Sequence, residues 1–150
     1  MSRIKDLQKQ VFKVLADTDE PMKAMAHLHG VSLAAVMIAK KRGQDPELAA
    51  MAGLLHDLWA YKSGSYDDHA HLGADYARKV LGKMEITTSD ETDIICDAIW
   101  HHDDKANVDS TFTEVLKDAD VIDHCLKDSS KPVKEKEQAR FEALCAEIGL

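Results

Sequence analysis

His56 and Asp57 are adjacent in this chain, and they close the stretch Leu48-Ala49-Ala50-Met51-Ala52-Gly53-Leu54-Leu55. A neutral imidazole and a carboxylate are both good ligands for a first-row divalent cation. The dipeptide alone is a weak signal, so the weight falls on which other His and Asp residues can be brought to it. His29 precedes Leu33 and Val36 by four and seven residues, which places it on an apolar helical face; His27 does not share that stripe. His102 continues the stripe Ile95, Ala98, Ile99, whereas His101 lies one step round, nearer Ile94 and Asp97, so one of the two points inward. Asp120 sits next to a stripe of Val115, Leu116, Ala119 and Ile122, while Asp118 and Asp123 read as solvated. Taken singly, each of these residues is a packed core histidine or a surface acid. Taken together, three helices present an imidazole or carboxylate at an apolar edge, and a fourth ends on His-Asp. Burying several such groups is costly unless a cation or hydrogen bonds offset it, and a metal held between facing bundle helices does so directly.

The elements that must position these groups are helices almost throughout. Ile4, Leu7, Val11, Val14 and Leu15 form one amphipathic face, stopped by Asp17-Thr18-Asp19-Glu20-Pro21. A second helix is expected from about Pro21 to Arg42, ended by Gly43. Asp45-Pro46-Glu47 is a helix start, with a capping carboxylate, a proline at the first position and a dipole-favoured acid, and it launches the helix that carries His56-Asp57. Residues 58–68 read as an aromatic-rich loop. Helix returns from about Asp68 to Leu81, closed by Gly82; Thr88 with Glu91 and Thr111 with Glu114 match capping boxes for helices reaching His101 and Leu126. Ser130 and Pro132 open a last charged helix through Glu147, with Phe141, Leu144, Cys145 and Ile148 on one face. No period-2 stretch is long enough for a strand. The expectation is an all-α, single-domain helical bundle over residues 1–150.

Composition narrows the function. The chain has 150 residues, enough for one domain with a real core, and a net charge of −8, which argues against a nucleic-acid polymer or an anionic membrane as partner. A small anionic substrate remains compatible, because a bound cation reverses the sign locally. No apolar run approaches the roughly 20 residues of a membrane span. Cys96, Cys125 and Cys145 are odd in number and lack CxxC spacing, so reduced thiols and a cytoplasmic setting are expected.

The order of a His, then a His-Asp pair, then a distant Asp resembles the HD superfamily of metal-dependent phosphohydrolases. Here that order maps onto His29, His56, Asp57 and Asp120, with Ala49–Asp57 similar to the family's signature around the pair and Lys117-Asp118-Ala119-Asp120 similar to its last motif. The resemblance covers about residues 22–126. Asp68-His69-Ala70-His71-Leu72-Gly73-Ala74 and Ala98-Ile99-Trp100-His101-His102 resemble the branch with extra histidines, which selects His69 over His71 and His102 over His101. By that resemblance His29, His56, Asp57 and Asp120 hold one divalent metal, and Asp57, His69 and His102 hold a second. The cation is one of Mn, Fe, Co, Ni, Mg or Zn. The lysine that follows the pair in the cyclic-dinucleotide phosphodiesterases of this superfamily is absent, and so is their GYP segment. Lys62 and Lys105, with His101, are then the candidates for contacting substrate.

The implied function is hydrolysis of a phosphate ester of a nucleotide or related small molecule by a metal-activated hydroxide, with Asp57 and Asp120 as catalytic groups. Asp68, Asp97 and Asp103 are candidates for orienting the imidazoles. Trp59, Tyr61 and Tyr66 read mainly as packing the loop onto the bundle, with stacking on a base as the functional alternative. Two rival readings use the same residues: an oxygenase of the di-iron HD type, and a non-catalytic metal or metabolite sensor. Oligomeric state is not legible.

Overall fold

Capping chemistry sets most helix ends. In the computed structural model, which describes residues 2–150, α1 (Arg3–Leu15) starts at Ser2, whose hydroxyl accepts from the Lys5 N–H. The second helix, α2 (Pro21–Arg42), opens on its proline and stops at Gly43, which takes the left-handed φ of 67° that a Cβ disfavours. For α3 (Pro46–Leu55), the Asp45 carboxylate accepts from the N–H groups of Glu47 and Leu48. The Thr88–Glu91 capping box starts α6 (Ser89–His101) as expected.

Four boundaries differ from the sequence reading. Residues 58–68 are not all loop: α4 (Leu58–Ser63) is a short helix, formed because Leu58 and Ala60 are buried against the bundle. The next helix, α5 (His69–Met84), runs through Gly82 and ends at Glu85; Leu81 is buried and Met84 packs on the core, which carries the helix past the glycine. The cap of α7 (Thr111–Leu126) is Ser110 rather than Thr111, since Ser110 Oγ accepts from the Thr113 N–H and Glu114 accepts from the Asp109 N–H. The last helix, α8 (Glu135–Ile148), starts later than Ser130 and Pro132 indicate, because Ser130 bonds Asp128 and Val133 packs on the core before the helix begins. Among the described residues there are eight helices and no strand, an all-α fold.

One hydrophobic cluster runs from Leu7 in α1 to Leu144 in α8. At its centre α2 packs against α3 and α7. The first crossing is close: Ser32 Oγ donates to the Ala50 carbonyl at 2.9 Å, and a Cβ added to Gly53 would lie 2.6 Å from Ser32 Cα. The glycine and alanines of α3 are therefore clearance for α2. That helix is also, by length and composition alone, long and apolar enough to cross a bilayer, with a mean hydropathy of 1.3 over its most apolar 18 residues, contrary to the sequence reading; half of those residues are buried in the fold.

Ion pairs tie the outer helices down. Arg3 of α1 pairs with Glu47 and Glu91 at 2.7 and 2.8 Å. Arg42 at the end of α2 reaches Glu147 of α8 and Asp118 of α7, and Arg140 of α8 reaches Glu114 and Asp118. Asp118 is thus buried between two guanidinium groups, not solvated as the sequence reading has it.

Gly53→Ala tests the α2–α3 crossing. Because the neighbour is backbone and cannot swing aside, the substitution should cost about 1–3 kcal/mol as overpacking does, read from chemical denaturation, although Gly→Ala in an open helix normally stabilises.

Candidate metal centre

Four of the six candidate ligands, His56, Asp57, His69 and His102, come from helix ends, and His27 and Asp120 from within α2 and α7. His56 is the residue that stops α3, and its Nδ1 donates back to the Gly53 carbonyl at 2.7 Å. His102 stops α6 and donates from Nδ1 to the Ile99 carbonyl at 2.6 Å. His69, first residue of α5, donates from Nδ1 to the Tyr66 carbonyl at 3.0 Å. Carbonyls accept only, so each bond places the proton on Nδ1 and leaves Nε2 with a lone pair. At the end of α3 the partner, Gly53, is one of the carbonyls that a helix end leaves unpaired, whereas the Ile99 carbonyl also accepts from the His102 N–H at 3.3 Å. A fourth ring, His27 of α2, has its Nδ1 2.7 Å from Asp123 Oδ2, with the same result.

All four Nε2 atoms converge on Asp57 and Asp120. Asp57 Oδ2 lies 3.1 Å from His27 Nε2 and 3.4 Å from His56 Nε2, while its Oδ1 lies 3.2 Å from His102 Nε2 and 3.6 Å from His69 Nε2. Two groups of potential ligands therefore share one carboxylate: His27, His56, Asp57 and Asp120 on one side, Asp57, His69 and His102 on the other. Asp120 Oδ1 is 3.5 Å from His27 Nε2 and 3.4 Å from both His56 Nε2 and His124 Nε2, yet it is buried and has no hydrogen-bond partner. His27 Nε2 and His56 Nε2 are themselves 3.2 Å apart, an arrangement of two lone pairs that only a proton or a metal cation between them makes favourable. The donor set, neutral imidazole plus carboxylate, fits a divalent first-row metal, with Asp57 placed to bridge two.

The electrostatics follow. Burial pushes the His56 ring toward its neutral form, but the Asp57 carboxylate, with Asp120, outweighs it and raises the pKa to about 10 without a metal. His27 is likewise raised, burial being overcome by its bonds to Asp123 and Asp57. Burial favours the neutral acid at Asp57 and Asp120, and is overcome at Asp57 by His56 and at Asp120 by Lys105, so both stay ionised well below the usual range. Lys105 Nζ donates to Asp120 Oδ2 and the His102 carbonyl, each at 2.8 Å.

The structure corrects several sequence assignments. His29 is exposed on the outside of α2 with Leu33, and His27 takes the place expected of it. The buried stripe is Ala24, His27, Leu28, Val31, Ala35 and Ile38; α2 is apolar nearly all round, so His29, Leu33 and Val36 form an equally regular pattern on the wrong face. Lys105 is spent on Asp120 and does not line the cavity, and Lys62 lies over the Trp59 and Tyr76 rings instead of facing the centre. His101 turns to the Asp97 carbonyl, away from the centre. Asp123, read as solvated, is the carboxylate that orients His27. Asp68 and Asp97 pair with His71 and His101 instead of a ligand, and Asp103 orients none of the four rings. His56, Asp57, His69, His102 and Asp120 stand together as drawn.

Two residues were missed altogether. His124, four residues after Asp120, stacks on His27 at 5.3 Å, and its Nδ1 lies 2.9 Å from Glu137 of α8, leaving Nε2 toward Asp120. The spacing from Asp120 is the only signal of this in the sequence; Glu137 has none. Both, with Tyr61 and Tyr66, line a cavity of about 580 Å³ that opens onto the cluster, within the usual range for a small-molecule site. Trp59 packs on Tyr76.

The HD domain family model matches residues 25–125, which take in every member of the two ligand groups. Ribonuclease Y of Opitutus terrae is 31% identical over 97 residues, covering 63% of this chain and 17% of that protein. Ribonuclease Y of Thermus thermophilus is 29% identical over 121 residues, 80% of this chain and 18% of the relative. The chain thus spans less than a fifth of the length of these relatives. Among solved structures, a predicted HD superfamily hydrolase from an uncultured Thermotogales bacterium is 24% identical, with a TM-score of 0.68 over 97% of this chain and 88% of that one.

The ion pairs predict opposite pH responses with and without metal. A raised imidazole pKa stabilises fully below its unfolded value of 6.5, and that stability is lost as pH rises toward about 10. The lowered carboxylates stabilise above about pH 4 and lose it as pH falls further. Metal-free protein should therefore melt at lower temperature as pH rises from 6.5 toward 10, whereas the increment from added Mn²⁺ should grow over that interval, because the cation displaces the His56 proton. Melting scans across pH, with chelator and with metal, read both slopes.

Proposed function

The chain belongs to the HD domain family, and from that premise we propose that it is a metal-dependent hydrolase of phosphate esters acting on a small phosphorylated substrate. The observation that carries this is Asp57, whose two oxygens face two separate groups of imidazole lone pairs. Held there by these residues, a divalent cation would lower the pKa of a coordinated water toward neutrality and would stabilise charge on the attacking and leaving oxygens. The relatives named Ribonuclease Y favour a phosphorus–oxygen bond as the one cleaved.

The chain's own residues supply orientation and charge. The Nδ1 bonds hold four rings in one tautomer and aim their Nε2 atoms, at no reorganisation cost during reaction. Lys105 neutralises Asp120 Oδ2 and leaves Oδ1 to act as ligand. At the cavity wall, Glu137 holds the Nδ1 proton of His124, so His124 Nε2 is available to accept a hydrogen bond from a group seated beside Asp120. Tyr61 and Tyr66 close another side of the cavity and bring aromatic surface to the substrate.

The test separates metal from turnover. His56→Ala, Asp57→Ala and His27→Ala should each lose metal by elemental analysis and lower hydrolysis of a phosphate ester by about a hundredfold or more, as loss of a metal ligand's support alone costs 10–100-fold. His29→Ala should retain both. Full metal content in the His27 and Asp57 variants overturns the centre. A metal-loaded wild type that consumes oxygen and cleaves no phosphate ester makes the protein an oxygenase instead.

A further inference from the structure

None of the lysines lining the cavity pairs with a member of the two ligand groups, although Lys127 lies 3.6 Å from Asp123 Oδ2, which orients His27. Lys23 of α2, Lys127 at the end of α7, Lys131 in the connection, and Lys134 and Lys136 at the start of α8 all line the cavity. These are five of the 19 basic residues in a chain of net charge −8, gathered round one opening. Of the acids in the same wall, Asp57 and Asp120 belong to the centre and Glu137 is turned inward to His124, which leaves Asp103. The pairs Lys23–Glu20, Lys127–Asp123 and Lys131–Asp128 are long, at 3.4, 3.6 and 3.8 Å, with lysines more than half exposed. Such contacts hold a lysine only loosely and leave it free to turn to a stronger partner. The two lysines expected to serve as phosphate contacts, Lys62 and Lys105, are committed elsewhere.

We propose that this rim, Lys23 with Lys127, Lys131, Lys134 and Lys136, is a subsite for a second anionic group of the substrate, so that the preferred substrate carries a further phosphate besides the one presented to the metal centre. The inference rests on the function proposed above and adds the class of substrate. A single phosphate at the centre would be served by the ligand cluster and its cations alone. The lysines share the wall of a cavity of about 580 Å³ with Asp57, His69, His102 and Asp120, so a substrate seated at the centre lies in the same cavity as their ammonium groups. The charge pattern has the same sense: an acidic body with one basic opening steers a polyanion to that opening.

Binding tests this with probes that cannot be hydrolysed. Mn²⁺-loaded protein is titrated calorimetrically with propylphosphonate and with the two-headed propane-1,3- and hexane-1,6-bisphosphonates, none of which has a P–O–C bond. At least one bisphosphonate should bind about tenfold tighter than the monophosphonate, as expected for added charge-assisted hydrogen bonds, and added salt should erode the difference. In the variant Lys131→Glu, Lys134→Glu, Lys136→Glu the preference should vanish while manganese content and helical circular dichroism hold; the corresponding triple Gln variant should weaken it in part. Equal affinities in the wild type, or an undiminished preference in the Glu variant, overturn the proposal. If elemental analysis finds that the protein holds no metal, the reading of the centre fails separately. The rim is still read by the same titration, as loss or retention of bisphosphonate binding between wild type and the Glu variant.

Discussion

A buried carboxylate oxygen that three imidazole nitrogens approach and none bonds is the constraint on which the rest depends. Asp120 Oδ1 could be satisfied by a proton on a neighbouring ring or by a cation, and the surroundings are arranged for the second. Every proton of these rings that a hydrogen bond can locate is held on the far side, at Nδ1, by a carbonyl, by Asp123 or by Glu137. Lys105 covers the other oxygen of Asp120. What remains is a set of buried electron pairs facing one another, an arrangement that the His56 proton relieves without metal and that a divalent ion relieves in its place. Metal affinity and the stability of this part of the bundle are therefore one quantity.

Helix ends, rather than helix faces, do most of the placing. His56 and His102 each stop a helix and each bond a carbonyl of its last turn through Nδ1, so the end of the helix and the orientation of the ligand are settled together. Asp57 follows directly and begins α4. A rotation of α3 about its axis would move both residues of the pair together, and Gly53 prevents it by admitting the α2 backbone at one point of the helix.

That division explains what could be read in the chain. Punctuation such as Asp45-Pro46, Gly43 and the Thr88–Glu91 box is local, and the helices it bounds lie where expected. The His-Asp pair, His69, His102 and Asp120 were legible because their neighbours in sequence carry a recognisable pattern. His27 was not. In a helix rich in Ala, Val and Leu on every side, two histidines two residues apart each sit on a regular apolar stripe, and only the packing of α3 and α7 shows which stripe is buried. The partners that tune the ligands are further from local pattern still. Asp123 read as a surface charge and Lys105 as a substrate contact, and Glu137 reaches His124 from a separate helix.

The HD match ends at residue 125, so α8 and its basic approach stand outside the part of the chain that carries the ligands. They are fastened to it by ion pairs through Arg42 and Arg140 and by the buried Glu137, which meets His124. The ligand cluster and most of the basic rim thus belong to different stretches of sequence with different tolerances. The first is held by burial, where almost any exchange is costly. The second is exposed and free to drift. In evolutionary terms such a molecule can vary its basic rim without disturbing the ligand cluster, and related proteins would diverge first in the segment after α7.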